Sequence, residues 1–185
     1  ILDEIAKIDK KVKIIHRKIH NKGIGSAHID GIKYAYENNY NFLITMDCDL
    51  SHSPKYIDDF ILKKDTADLI IGTRFVNKSS IESWNIYRKL LTNLARFATL
   101  VLLGIKFDAT GAFRLYNLNT INKKFIKLIT FTRYSFFFES LFILYLNKYR
   151  IIEIPIDLPS RVYGSSKQKY NDIFLGIKNL LIIFL

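Results

Sequence analysis

Short β-favouring runs recur along this chain with helical patterns between them, and that alternation limits the folds open to it. "VKIIH" (Val12–His16), "FLITM" (Phe42–Met46) and "DLIIGTR" (Asp68–Arg74) read as strands. The second is apolar throughout, as a strand buried on both faces must be. Between them "IGSAHIDGIKYAYEN" carries a helical period. "SPKYIDDFILKK" opens as a helix should, with Ser53 at the N-cap and Pro54 in the first turn. Strands separated by helices of about a dozen residues predict βαβ units and a mostly parallel sheet. Right-handed crossovers then place helices on both faces.

After Arg74 the pattern changes. A polar loop, "VNKSSIES", leads into a long amphipathic helix, "WNIYRKLLTNLARFATLVLL" (Trp84–Leu103). A glycine-bearing segment, "DATGAFRLYN", follows, then helical patterns through Ile129 and from about Ser135 to Asn147. "RIIEIPI" (Arg150–Ile156) reads as a last strand, before the basic loop "PSRVYGSSKQKY" and an amphipathic helix over about 171–185. No repeat, low-complexity tract or linker divides the 185 residues, which predicts one domain over 1–185. The opening "ILDEIAKIDKK" reads as the end of an amphipathic helix, with the expectation that a first strand precedes it. No apolar run reaches the roughly 20 residues that cross a bilayer. Glu139 interrupts "SFFFESLFILYL", and Lys178 interrupts the last run.

The chemistry-bearing stretch is "LITMDCDLSHSP" (Leu43–Pro54), in which two carboxylates leave an apolar strand one residue apart. Side chains two apart on an extended segment point the same way, so Asp47 and Asp49 share a face and Cys48 turns into packing. The carboxyl edge of a parallel sheet is where ligands bind. Hard divalent ions prefer carboxylate oxygens, and Mg²⁺ takes one or two carboxylates together with substrate phosphates. Asp47 and Asp49 are therefore candidate ligands for Mg²⁺ or Mn²⁺ bridging to a nucleotide diphosphate.

This segment resembles the D-x-D-L-S-H-x-P motif of dolichol-phosphate mannosyltransferases, members of glycosyltransferase family 2 with a GT-A fold. Further segments match in order: "GIGSAHIDGIKYA", "IIGTRF", "W…RKL", "DATGAFRLY", "FFFESL" and "EIPI…RVYGSSK". The resemblance covers at least Gly23 to Lys167. The chain departs from the pattern in Cys48 for the usual Ala, in "DATGAF" for D-L-T-G-S-F, and in a loop after "GTR" without glycines. The resemblance implies an inverting transfer of a hexose, with mannose from GDP-mannose favoured, onto a polyprenyl or dolichyl phosphate. UDP-glucose or another donor, or a non-lipid acceptor, is the alternative within the family.

A phosphate acceptor is already largely anionic near neutral pH, so positioning and stabilisation of the departing nucleotide matter more than a strong base. The matching motifs make Asp49, Asp108 and Arg88 the catalytic candidates. Arg74, Arg88, Arg114, Arg161 and Lys167 become candidate phosphate contacts, guanidinium being a planar fork of donors. Asp108 would orient sugar hydroxyls or act as a weak base. Glu139, if buried, calls for an Arg or Lys nearby. His52 sits in the motif with a loop hydrogen bond as its plain role. His16 and His20 straddle a strand end, and Gly23 and Gly25 read as a helix start.

Net charge is +11, from 28 Lys plus Arg against 17 Asp plus Glu, which favours anionic partners. A basic nucleic-acid-binding module is the reading from another class, but the cations are scattered and no nucleic-acid signature appears. One cysteine excludes an internal disulfide framework and a multi-cysteine zinc site. The amphipathic helices, with Lys89 and Arg96 flanking the longer one, suit a membrane surface. Periodicity alone reads as helices packed on the sheet; the family resemblance is what implies a membrane-associated location, with the active site facing the cytoplasm.

Overall fold

The computed structural model describes residues 2–17, 23–82, 84–159 and 170–185. In chain order the elements are α1 (Leu2–Ile8), α2 (Ile24–Glu37), β1 (Phe42–Thr45), α3 (Ile57–Lys63), β2 (Leu69–Thr73), α4 (Ile86–Leu103), β3 (Arg114–Asn117), α5 (Phe136–Leu146), β4 (Ile151–Pro155) and α6 (Tyr170–Phe184). Short 3₁₀ turns cover Pro54–Tyr56, Lys78–Ile81 and Lys123–Leu128.

The four strands form one sheet in the order β1-β3-β2-β4. β2 and β4 pair in parallel, while β3 runs antiparallel to both β1 and β2. Three strands thus share a direction and β3 alone opposes them. One consequence fixes the site: the carboxyl ends of β1, β2 and β4 and the amino end of β3 all open onto one rim.

β2 is buried along its whole length. Its alternating side chains feed two cores, Leu69 and Ile71 into one and Ile70 into the other. The first core lies against α2 and α5, with Ile32, Phe136 and Leu141. The second gathers Phe60 of α3, Trp84, Phe113 and Ile154. Helical cover on both faces is what the continuous apolar runs predict.

Capping explains the element boundaries. Ser53 accepts from Lys55 N, and Pro54 stands at the first 3₁₀ position. Asn85 accepts from the backbone of Arg88, so α4 begins at Ile86 and Trp84 lies just before it. Gly104, at φ 67°, ends the same helix in the left-handed conformation that glycine supplies without strain. Gly23 and Gly25 do start a helix, α2. There the chain passes so close that a Cβ on Gly25 would lie 2.5 Å from Phe136 Cβ.

Two readings of the sequence are corrected here. Val12–His16 forms no strand, for it has no ladder partner among the described residues. Conversely, "RLYN" inside the glycine-bearing segment is β3, paired on both sides and buried throughout.

Candidate active site at the sheet rim

β1 ends at Thr45, whose hydroxyl donates to the carbonyl of Ala112 at 2.8 Å and ties this strand end to the loop before β3. Asp47 and Asp49 follow at the rim, half-buried, while Cys48 is exposed. The strand has ended by then, so strict alternation no longer holds and Cys48 faces solvent, not packing. Asp49 Oδ1 accepts from the backbone N–H of Ser51 at 3.1 Å and from its hydroxyl at 2.5 Å. Leu50, between them, takes a left-handed φ of 64°. His52 closes the loop, its Nδ1 accepting from the backbone N–H of Asp47 at 2.8 Å.

That bond settles the state of His52. Its Nδ1 also lies 3.9 Å from an Asp47 carboxylate oxygen, the spacing of an ion pair. An acceptor nitrogen carries no proton, however, and burial pushes the imidazole pKa down, with the Asp47 charge opposing. The ring is neutral, and the contact with the carboxylate is not an ion pair.

Asp47 and Asp49 suit a hard divalent cation, being two carboxylates with one already oriented by Ser51. Among the described residues no group of three or more His, Cys, Asp or Glu side chains could hold a metal by itself. A cation here would complete its shell with water or with substrate oxygens, as Mg²⁺ bound through one or two carboxylates does.

Arg74 follows β2 at the same rim. It donates through Nε and Nη2 to the two carboxylate oxygens of Asp108, each at 2.8 Å, and to the Thr110 hydroxyl at 2.9 Å. Asp108 is 1% exposed and Arg74 9%. Burial pushes the Asp108 carboxyl up, but the guanidinium charge and hydrogen bonds outweigh it and hold the group below the usual carboxylate range. Asp108 is therefore an ionised anchor for Arg74, with both oxygens engaged. Its own backbone N–H donates to Glu153 Oε1 of β4 at 2.5 Å. Burial raises the Glu153 carboxyl.

Aromatic rings extend this cluster. The Arg88 guanidinium lies 3.6 Å from the centre of the Trp84 ring, and the Arg74 guanidinium lies 5.7 Å from it. Arg96 stands 4.3 Å over Phe75. The Trp84 indole N–H donates to the carbonyl of Leu158 at 2.9 Å, fixing the ring to the segment after β4. Three arginines from two elements are thus gathered on two aromatic platforms.

Other candidates sit elsewhere. Arg114 is fully buried on β3 and donates to the carbonyls of Gly111, Ala109 and Phe137 and to the Ser140 hydroxyl. No surface is left on it for a phosphate. Glu139 is buried, yet its partners are not cationic. It accepts from the backbone N–H groups of Thr130 and Phe131 and from the Thr130 hydroxyl, a carboxylate satisfied by dipoles in place of the expected Arg or Lys. His16 meets Asp3 at 3.0 Å on an exposed surface. His20, Arg161 and Lys167 lie outside the described residues.

Sequence reasoning missed Trp84 as the platform between Arg74 and Arg88, and Glu153 as the support for Asp108. The "W…RKL" spacing held the first signal, since Trp84 and Arg88 are four apart. Nothing local marks Glu153, whose contact with Asp108 spans 45 residues.

The α4 and α6 helices contact one another, and both turn apolar side chains outward. On α4 these include Leu90, Leu94, Phe97 and Val101; on α6 they include Phe174, Ile177 and Ile182. Among the described residues no helix is long and apolar enough to cross a membrane.

Residues 1–125 match the family described as Glycosyl transferase family 2. An undecaprenyl-phosphate mannosyltransferase of Micrococcus luteus is 31% identical over 166 residues, which cover 89% of this chain and 68% of that protein. A polyprenol monophosphomannose synthase of Mycolicibacterium smegmatis is 28% identical over 176 residues, covering 94% of this chain and 66% of that protein. The chain thus spans about two thirds of the length of both relatives.

Proposed function

The chain belongs to glycosyl transferase family 2, and on that premise we propose that it moves mannose from GDP-mannose onto a polyprenyl phosphate. The mannosyltransferase and phosphomannose synthase names of the two relatives support this choice of sugar and acceptor. The observation that carries it is the rim itself, where Asp47 and Asp49 open beside the Arg74, Trp84 and Arg88 cluster.

In this reading an acceptor phosphate oxygen attacks the anomeric carbon as the bond from that carbon to the nucleotide diphosphate breaks, inverting the centre. The phosphate is already anionic, so no side chain needs to take a proton. Arg88, on the first turn of α4, takes the acceptor phosphate. Its flat guanidinium is backed by Trp84, which holds the fork in one orientation. Arg74, locked on one side by Asp108, offers its remaining edge to phosphate oxygens. Asp47 and Asp49 would hold Mg²⁺ or Mn²⁺, which when bound neutralises charge on the departing diphosphate.

The outward apolar faces of α4 and α6 lie in the bilayer interface, bringing Arg88 to the depth of a lipid-borne phosphate. The active site then faces the cytoplasm, where the nucleotide sugar is supplied.

The test is a transfer assay in membranes with radiolabelled GDP-mannose, UDP-glucose and UDP-N-acetylglucosamine offered separately, with polyprenyl phosphate and Mg²⁺ or Mn²⁺. Label from GDP-mannose should enter the lipid phase, and EDTA or Asp49→Asn should reduce it at least about a hundredfold. Label from a uridine donor instead would move the sugar assignment. No lipid labelling from any donor would end the lipid-acceptor reading.

A further inference from the structure

We propose that His52 is a positioning residue for the Asp47–Asp49 pair, and that it sets the affinity of that pair for a divalent cation. The inference rests on the reading of the two aspartates as metal ligands.

Between Asp47 and His52 the chain leaves β1 and reverses before the 3₁₀ turn at Pro54–Tyr56. No regular ladder holds these six residues, so the orientation of the carboxylates depends on what ties the loop. Two ties are visible. Ser51 holds the side chain of Asp49 through its N–H and hydroxyl. His52 holds the backbone of Asp47 by accepting its N–H at Nδ1, 2.8 Å away. These ties come from Ser51 and His52, just past Leu50.

His52 is built to keep its ring still. It is 4% exposed, and its ring packs against Phe113, centres 5.2 Å apart and planes tilted by 40°, with Phe113 itself fully buried beside Phe60. Phe113 also accepts, through its carbonyl, the N–H of Gly72 in β2. The imidazole therefore connects the Asp47 backbone to the loop before β3 and to the central strand. The carboxylates stand at the rim, but the force that orients Asp47 comes from the core. A left-handed Leu50 sits inside the loop. A non-glycine residue holds that conformation only when its surroundings determine it, and the two ties supply that determination.

Removing a residue that orients a metal ligand typically weakens binding roughly ten- to a hundredfold. Two variants separate the hydrogen bond from the packing. His52→Phe keeps a ring on Phe113 and removes the acceptor. His52→Asn places an amide oxygen near the position of Nδ1 and restores the acceptor without the ring.

The experiment measures Mn²⁺ binding to the purified protein by electron paramagnetic resonance, without substrates, and hydrogen exchange at the Asp47 amide. Wild type, His52→Phe, His52→Asn and Asp49→Asn are compared, with thermal melts confirming that each is folded. The inference expects His52→Phe to speed exchange at Asp47 and weaken Mn²⁺ at least about tenfold, with His52→Asn recovering most of both. Faster exchange with unchanged Mn²⁺ affinity overturns it, since the tie would then hold the loop and not the site. Unchanged exchange overturns it directly. If wild type shows no Mn²⁺ binding that Asp49→Asn removes, the metal reading fails first, and the inference falls with it.

Discussion

Replacing Asp108 by Asn tests whether that residue anchors Arg74 or acts on the substrate. In the structure Asp108 accepts two bonds from Arg74 at 2.8 Å each, and two more from the N–H and hydroxyl of Thr110 at 3.2 and 3.3 Å. Both partners are buried. Asparagine keeps the shape but removes the charge and turns one acceptor into a donor facing a donor. The Arg74 guanidinium is then a buried cation without its counter-ion, which costs about 3–5 kcal/mol. Total stability for a domain is about 5–15 kcal/mol, so the loss is a large fraction. For this chain length it corresponds to a fall in Tm of about 6–20 °C.

The assay is urea unfolding followed by circular dichroism, on Asp108→Asn, Arg74→Met and the double variant. The double variant should lose less than the sum of the singles, by about 2 kcal/mol, because it leaves no orphaned charge. The Asp108 carboxyl is depressed below its ordinary value of 3.8, so the contribution is complete above that pH. It fades only as pH falls through the still lower folded-state value. The destabilisation should accordingly be constant from about pH 5 to about pH 8. A variant within about 1 kcal/mol of wild type that has nonetheless lost turnover would refute the anchor and restore Asp108 as a group acting on the sugar.

Four further outcomes are expected. Gly25→Ala would place a Cβ 2.6 Å from the Arg133 carbonyl oxygen as well as against Phe136, with backbone unable to yield, and should cost about 3 kcal/mol or more in urea unfolding. Gly31→Ala, on the same helix with nothing within 4 Å, should instead stabilise by about 0.5–1 kcal/mol. The His28 imidazole, packed on Phe136 and Phe137, is lowered to about 4, chiefly by burial. Stability should be full above 6.5 and decline by up to about 3 kcal/mol as pH falls toward 4, a slope that His28→Leu removes in a pH series of melts. Phe97→Glu, on the outward face of α4, should leave the Tm within a few degrees and abolish sedimentation with anionic vesicles. Retained sedimentation would remove that face from the membrane contact.

What the sequence disclosed and what it concealed divide along a physical line. Ser53–Pro54, the apolar Leu69–Ile71 run and the Asp47–Asp49 spacing are local signals, set by capping, burial and chain geometry over a few residues, and each could be read. β3 was concealed because "RLYN" is four residues long and carries an arginine. Only pairing with β1 and β2, and carbonyls of Ala109 and Gly111 in the preceding turn and of Phe137 on α5, make that arginine tolerable inside. Glu139 misled for a related reason: its compensation comes from backbone N–H groups, which every residue type supplies and no pattern announces. Asp47, Asp49, Arg74, Arg88 and Asp108 were legible as candidates, while Arg114 proved to be a buried brace. Which of them face a ligand and which brace another side chain was decided by partners as distant as Glu153 is from Asp108.

Because β3 opposes its neighbours, every strand end bearing chemistry lies on one rim, and the other rim is left with plain turns. Asn39 and Lys148, both exposed with φ near 60°, sit in those turns just before β1 and β4. Length is cheap there. A short epitope or a fluorescent label spliced in at Asn39 would ride on the side of the sheet away from the Asp47–Asp49 rim. If the enzyme works on a bilayer as proposed, it could be followed there, with its reporter and its chemistry separated by the length of the strands.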